Sequence, residues 1–314
     1  MQQSTNNRKI APELFEKATD NFAASDEIKR PSVSFLSDVW RRLKQNKLAM
    51  LGLIIMITLI VMSIIGPMLT PHNFAYQDFS VKNQKPNPTY WFGTDDMGRD
   101  LFARAWEGGR VSLFIGFSAA LIDFLVGVLI GGVAGFVGGW LDNLLMRISE
   151  VLYSIPYMLM AILLSVVLRS GKGLTSLILA LTITGWVPMA RLVRGQVLQL
   201  KEMEYVHAAN ASGAGTGWIL WNHMLPNAMG PIIVNVTLTV PRAIFSEATL
   251  SFLGLGVQPP NPSWGQMASD AMEQFLVGNI NTLLVPAILI CLAMFSFNVL
   301  GDGLRDAFDP KLRK

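Results

Sequence analysis

Residues 204–227 read EYVHAANASGAGTGWILWNHMLPN, and this stretch lies between two long apolar runs of the chain. It is too polar and too rich in glycine to span a membrane. Its first part has the alanine-rich composition of a helix, so it is more than a plain linker. The runs on either side, about 174–193 and 228–255, have the length of membrane-spanning helices. The sequence therefore predicts a short structured segment between two membrane spans.

The composition of the whole chain also favours a membrane protein. Of its 314 residues, 51% are hydrophobic and only 15% are charged, whereas soluble domains carry nearer a quarter charged residues. The apolar residues form continuous runs, which excludes a large soluble enzyme. Each run must be helical, because an isolated strand in lipid leaves its backbone groups unpaired. We expect an all-α polytopic membrane protein with six transmembrane helices, at about 48–69, 111–139, 152–168, 174–193, 228–255 and 282–301.

The distribution of lysine and arginine predicts how these spans are oriented, because cytosolic loops carry an excess of both residues. With the amino terminus placed in the cytosol, 17 of them fall in cytosolic segments and seven in outer segments. We therefore expect both termini in the cytosol. The same orientation puts segment 204–227, between spans four and five, on the cytosolic side.

The pattern also divides the chain into regions. Before the first span, Phe35, Val39 and Leu43 recur at helical spacing with basic residues on the other side, as in an interfacial helix. An ordinary basic flank of the span explains them equally well. The predicted regions are a mobile cytosolic tail (1–33), the interfacial helix and first span (34–69), an extracytoplasmic loop (70–110), a membrane core (111–301) containing the loop between spans four and five (204–227), and a cytosolic tail (302–314).

Catalytic and metal-binding motifs are missing from the sequence. The stretch SGKGLTS (170–176) resembles part of a phosphate-binding loop, but Val166 and Gly173 replace residues that such a loop requires. Cys291 is the single cysteine, and the three histidines are scattered (His72, His207 and His223). We predict no catalytic residue and no metal site. Energy for any work must then come from a partner or an ion gradient.

The fifth span is the most polar of the six, and it contains Asn235, Thr237, Arg242 and Glu247. A lone charged side chain in hydrocarbon costs about 3 kcal/mol or more. We therefore predict that these four residues face an aqueous pathway, with Arg242 lining its outer part or pairing with Glu247. An outer-end salt bridge without a role in transport is the alternative.

Four motifs resemble one family. The ABC importer permeases have a cytosolic loop of pattern Glu-Ala-Ala, three residues, Gly, nine residues, Ile-x-Leu-Pro, and the matching positions here are Ala208, Ala209, Gly213, Leu225 and Pro226. The other three stretches are FGTDDMGRDLFAR (92–104), EATLSFLGLGVQPPNPSWG (247–265) and NVLGDGLRDAFDPKLR (298–313). Together they resemble the peptide/nickel subfamily, and within it the C-type permease subunit of oligopeptide and dipeptide systems. The resemblance covers about 36–314.

The resemblance implies a non-catalytic subunit of an ATP-driven importer of oligopeptides or dipeptides in a prokaryotic cell membrane. It implies a second permease subunit, two cytosolic ATPase subunits that bind ATP and magnesium, and an external peptide-binding protein. No cofactor in this chain and no nucleic acid are implied. An importer of nickel or another small solute is one alternative. A secondary carrier is another, although such carriers contain internal repeats, and none is evident here.

The resemblance also implies that segment 204–227 forms a coupling helix that docks on the ATPase. Its expected contact residues are Glu204, His207, Ala208, Ala209, Gly213, Leu225 and Pro226. Small residues such as Val206 and the two alanines offer a flat face for a groove. Gly213, Gly215 and Gly217 are expected to break the helix, and Pro226 to end the helix that follows. His207 replaces the family's Glu, so we predict that docking depends on shape more than on that charge.

Overall fold

The structure, a computed structural model, describes residues 35–168, 173–276 and 278–309. The chain divides into two units, 1–38 and 39–314, and the predicted tail 1–33 lies outside the described residues, as do 310–314. The described part contains α-helices, a 3₁₀ turn, a π segment and one isolated β-bridge, so the all-α prediction is confirmed. The α-helices are α1 Phe35–Gln45, α2 Lys47–Leu69, α3 Leu101–Val137, α4 Gly139–Ser154, α5 Tyr157–Val167, α6 Leu174–Thr182, α7 Trp186–Lys201, α8 Glu204–Ala211, α9 Thr216–Ile219, α10 Leu225–Phe252, α11 Trp264–Leu276 and α12 Asn281–Phe308.

Four helical stretches in the described part are long and apolar enough to cross a membrane. They are α2, α3, the continuous stretch Thr216–Phe252 and α12. Two bent pairs, α4 with α5 and α6 with α7, bring the number of spans to six if each pair counts as one. The six apolar runs of the sequence correspond to these six units.

The bent pairs differ from the straight spans predicted at 152–168 and 174–193. The axes of α4 and α5 make an angle of 85°, and those of α6 and α7 an angle of 42°. Pro156 lies at the first break, where its missing N–H and its ring prevent helix continuation. With 11 and 9 residues, α5 and α6 are each too short to cross about 30 Å of hydrocarbon alone.

The start of α3 corrects the predicted extracytoplasmic loop 70–110. This helix begins at Leu101, so residues 101–110 are helical rather than loop. Asp100 caps it, because its carboxylate accepts a hydrogen bond from the backbone N–H of Phe102 at 2.9 Å. The charged residues of 92–104 belong to the predicted loop. In the structure Arg99 and Arg104 are buried and paired with carboxylates.

Glycines recur every four residues at Gly127, Gly131, Gly135 and Gly139, and the first three, near the end of α3, pack against α7. A Cβ on Gly131 would collide with the carbonyl oxygen of Ala190, and a Cβ on Gly135 would lie 2.9 Å from that of Arg194. Gly127 faces Met189 in the same way. These positions allow the two helix backbones to approach closely. The fourth glycine of the repeat, Gly139, has no neighbour within 4 Å and begins α4.

Helix α1 is amphipathic and joins α2 through a single residue. Val39 and Leu43 are buried and Trp40 is exposed. The joining residue, Asn46, is the N-cap of α2, and its side-chain oxygen accepts a hydrogen bond from the backbone N–H of Ala49. Leu43 belongs to a small apolar cluster at the end of α12. The placement of α1 at a membrane surface stays a prediction.

Candidate functional site

Helix α8 is the eight-residue helix at the start of the segment that opened the sequence analysis. It ends where Gly213 takes a positive φ of 82°, a conformation that residues with a side chain rarely adopt. A Cβ on Gly213 would meet nothing within 4 Å. The glycine is therefore required for the backbone turn and not for space.

The two faces of α8 differ in exposure. Val206 is fully buried, and Ala209 packs beside it in an apolar cluster with residues of α7 and α10. Glu204, His207 and Ala208 are exposed. The predicted flat face of Val206, Ala208 and Ala209 is therefore wrong, because its largest member faces the chain's own core.

The second half of the segment is a continuous helix and not a helix that Pro226 ends. Residues Leu220–Met224 form a π segment, in which the backbone N–H of Leu225 donates to the carbonyl of Leu220. Pro226 follows in the first turn of α10, which continues to Phe252. A π segment shifts the hydrogen-bond pattern by one residue and so accommodates a proline without an N–H. Gly217 lies inside α9, so it does not break a helix either.

Side chains tie this segment to the long helices. Leu225 is buried, and Tyr205 and Trp218 make ring contacts with His223 at centroid distances of 6.4 and 4.7 Å. The amide of Asn227 donates to the carbonyl of His223 at 2.6 Å. These contacts connect α8 and α9 to the start of α10.

The base of α7 is fixed to the end of α3 and to α4. Lys201 donates to the backbone carbonyl of Phe136 at 2.9 Å. Arg194 forms a bidentate pair with Asp142, with both nitrogen–oxygen distances 2.6 Å. Such two-pronged pairs restrict geometry more than a single contact does. The helix that precedes α8 is thus bonded directly to α3 and α4.

At the opposite end of α3, two of the family-like stretches meet in a polar cluster. Arg99 donates to Asp95 at 2.6 Å, and Arg104 donates to Asp270 of α11 at 3.2 Å. The indole N–H of Trp264 donates to the carbonyl of Ala105 at 2.8 Å. The start of α3 is therefore bonded to α11, through Arg104 with Asp270 and through Ala105 with Trp264.

Glu247 belongs to this cluster and is completely buried. Its carboxylate accepts hydrogen bonds from Ser251 and Ser263, both at 2.7 Å, and from Ser112 at 3.3 Å. The predicted pairing with Arg242 is therefore wrong, and so is a position on an aqueous pathway. Three segments of the chain meet at this side chain: α3, α10 itself and the loop before α11.

The other polar residues of α10 separate into two groups. The hydroxyl of Thr237 donates to the carbonyl of Ile233 in its own helix, and its methyl lies beside Gly301 of α12. Asn235 is half-buried in the same helix, and its backbone carbonyl accepts from Thr239. Arg242, by contrast, is exposed and lines a cavity of about 450 Å³.

Sequence reasoning missed Asp123, which lines the same cavity. Asp123 is only 5% exposed, and its Oδ1 atom has no hydrogen-bond partner. The signal was available, because an ionisable residue inside a span is rare and by default marks a functional site. Among the described residues, no group of three His, Cys, Asp or Glu side chains could hold a metal ion.

Spans that include broken helices, a short exposed helix between two spans and a charged cavity within the bundle define a polytopic permease subunit. The chain belongs to the family of binding-protein-dependent transport system inner membrane components, which it matches over residues 127–314. Residues 34–86 match the N-terminal transmembrane domain of oligopeptide transport permease C. The protein is thus a transport subunit without catalytic activity of its own.

Several characterised relatives match almost the full chain. The dipeptide transport system permease protein of Bacillus subtilis (strain 168) is 54% identical, over 99% of this chain and 97% of the relative. The oligopeptide transport system permease protein of the same strain is 50% identical, over 97% of this chain and 99% of the relative. A glutathione transport system permease protein of Escherichia coli O157:H7 is 39% identical, over 92% and 93%.

A solved structure supports the fold. A chain of the methionine ABC transporter, determined in inward-facing conformations, superposes with a TM-score of 0.53 and 20% identity. The match covers 66% of this chain and 94% of the other. At this identity the likeness concerns the fold alone.

Proposed function

We propose that this chain is a membrane-spanning subunit of an ATP-driven importer of dipeptides or oligopeptides. The observation that carries the proposal is the 54% identity to a dipeptide permease over 99% of this chain. The identity falls to 39% for the glutathione permease, which favours ordinary peptides as substrates. The protein would be a multi-pass component of the cytoplasmic membrane of a prokaryote.

The partners follow from this assignment. A homologous second permease subunit would complete the pathway, and an extracytoplasmic peptide-binding protein would deliver the substrate. Two cytosolic ATPase subunits would hold ATP and magnesium and hydrolyse the nucleotide. The present chain contributes half of the pathway and the mechanical connection.

In the orientation that the lysine and arginine distribution favours, both termini and 204–227 are cytosolic and the polar cluster around Glu247 is outside. In this arrangement α8 is the coupling helix. The exposed Glu204, His207 and Ala208 form the contact face for the ATPase. Ala209 borders this face, Gly213 ends the helix, and Leu225 anchors the following helix from inside the core.

The test is transport by the complete complex in proteoliposomes. We expect uptake of labelled dialanine that requires ATP inside the vesicles and the binding protein outside. An uncoupler should leave this uptake unchanged, whereas a secondary carrier would lose it. Competition by a tenfold excess of glutathione or nickel should be weaker than competition by unlabelled dialanine. Uptake of nickel or glutathione without uptake of dialanine would contradict the proposal.

A further inference from the structure

The cavity beside Arg242 lies where helices are interrupted. It is bordered by the α4–α5 break at Pro156, by the α6–α7 break at Gly185, and by the middle of α3 and α10. Helix α10 carries Pro241 next to Arg242. Broken helices at membrane depth are tolerated where they line a cavity, and in transporters they commonly form solute sites. The volume, about 450 Å³, is within the range of small-molecule pockets.

Two opposite charges face this cavity from different helices. Asp123 belongs to α3 and Arg242 to α10; they are close enough to attract each other electrostatically, but no salt bridge within 4.0 Å joins them in the described residues. Asp123 is 5% exposed and its Oδ1 atom accepts no hydrogen bond. An unpartnered buried carboxylate is costly, and in a spanning helix the cost is several kcal/mol. A residue kept at that cost is explained by a ligand that completes its bonds.

The surroundings of Asp123 keep its carboxylate open. A Cβ on Gly185 would lie 2.6 Å from Oδ2 of Asp123, so any side chain there would press on the carboxylate. The hydroxyl of Tyr157, which also lines the cavity, is already used in a bond to the carbonyl of Leu181 at 3.1 Å. The cavity therefore offers one free acceptor group on α3 and one guanidinium donor on α10.

We propose that this cavity is a selectivity site for the charged ends of the transported peptide. Asp123 binds the α-ammonium group, and Arg242 binds the terminal carboxylate. A carboxylate with a free oxygen matches an ammonium donor, and a guanidinium matches a carboxylate. The inference rests on the proposed function. It adds a recognition step inside the membrane, after the binding protein has released the peptide.

The test compares blocked peptides in the complete transporter. We measure uptake of dialanine, N-acetyl-dialanine and dialanine amide in proteoliposomes. The binding protein is the same for every variant, so its own peptide preference does not affect the comparison between variants. We expect Asp123→Asn to lower dialanine uptake about tenfold and to raise the ratio of N-acetyl-dialanine to dialanine uptake. Arg242→Gln should raise the corresponding ratio for the amide. Asp123→Glu should restore much of the preference.

A second measurement does not depend on delivery by the binding protein. Ser154→Cys in a Cys291→Ser background places a thiol at the exposed edge of the cavity. High dialanine concentrations should slow its reaction with a methanethiosulfonate reagent. The same protection should be absent when Asp123→Asn is added. Glu150→Gln, which removes a charge from an exposed ion pair elsewhere, is the matched control and should change neither readout.

The outcomes separate this site from the proposed function. If the unmodified complex takes up no peptide with ATP, the proposed function itself fails. If it does, but Asp123→Asn keeps wild-type uptake ratios and peptide protection, only the selectivity site is disproved. Equal loss for all three peptides, together with loss of ATP hydrolysis, would identify an internal Asp123–Arg242 contact instead and would overturn the proposal.

Discussion

The two ends of α3 differ in how far the polar side chains around them are buried. At its amino-terminal end, Glu247, Arg99 and Arg104 are buried, and each is bonded to partners from the same chain. At its carboxyl-terminal end, α8 packs on one face and leaves the other exposed. Most polar groups at the first end have partners within the chain, although Nη1 of Arg104 has none among the described residues. The second leaves Glu204, His207 and Ala208 exposed, and we propose that this surface is an interface.

The strongest test of this comparison is Glu247→Ala. Removal of the carboxylate leaves three buried serine hydroxyls without their acceptor, so we expect a loss of about 3 kcal/mol in unfolding free energy. Denaturant unfolding of the purified chain in detergent measures it. Glu247→Gln, which retains one acceptor oxygen, should lose clearly less. Equal stability of the wild-type and Ala chains would show that this end is not held by its polar contacts.

Substitutions on the exposed face of α8 should change ATPase binding and leave the stability of the chain unchanged. Ala208→Leu adds bulk to the exposed face of α8, and overpacking an interface costs about 1–3 kcal/mol, so ATPase association should fall about tenfold. Ala208→Ser is the control of similar size and should bind nearly normally. Both variants should unfold like the wild type. Unchanged ATPase affinity for the Leu variant would remove this face from the docking site.

Gly213→Ala tests the turn that ends α8. With φ at 82°, alanine is strained by about 1 kcal/mol, while the open surroundings rule out a steric clash. We expect this small loss of stability and a measurable fall in transport coupled to ATP hydrolysis. Gly215→Ala, at a negative φ of −66°, is the matched control. Equal behaviour of the two variants would show that the turn does not depend on glycine.

The smallest effect is expected for His207→Glu. His207 is exposed, so the substitution should change the free energy of unfolding by no more than about 0.5 kcal/mol. It also restores the acidic residue of the family pattern. Peptide uptake should also stay close to the wild-type rate if docking depends on shape. Loss of transport or of ATPase binding in this variant would contradict that prediction.

Features set by local sequence were predicted correctly, whereas features set by contacts between distant segments were not. The apolar runs and the all-α class were predictable because lipid imposes length and hydrogen-bond rules on each span separately. The burial of Val206 was not predictable, because the sequence of a short alanine-rich helix does not show which of its faces packs against the rest of the chain. The hydrogen bonds of Glu247 with Ser112 and Ser263 could not be predicted either, because these partners belong to a different helix and to a loop.

The sequence alone thus determined a helical membrane protein, the positions of its six apolar segments and the motifs that resemble the permease family. The tertiary structure decided which charges are satisfied and which are free. Glu247 and Asp123 are both acidic residues in apolar runs, and nothing in their local sequence separates them. Only the packing of distant segments surrounds one with serine hydroxyls and leaves an oxygen of the other without a partner beside a cavity.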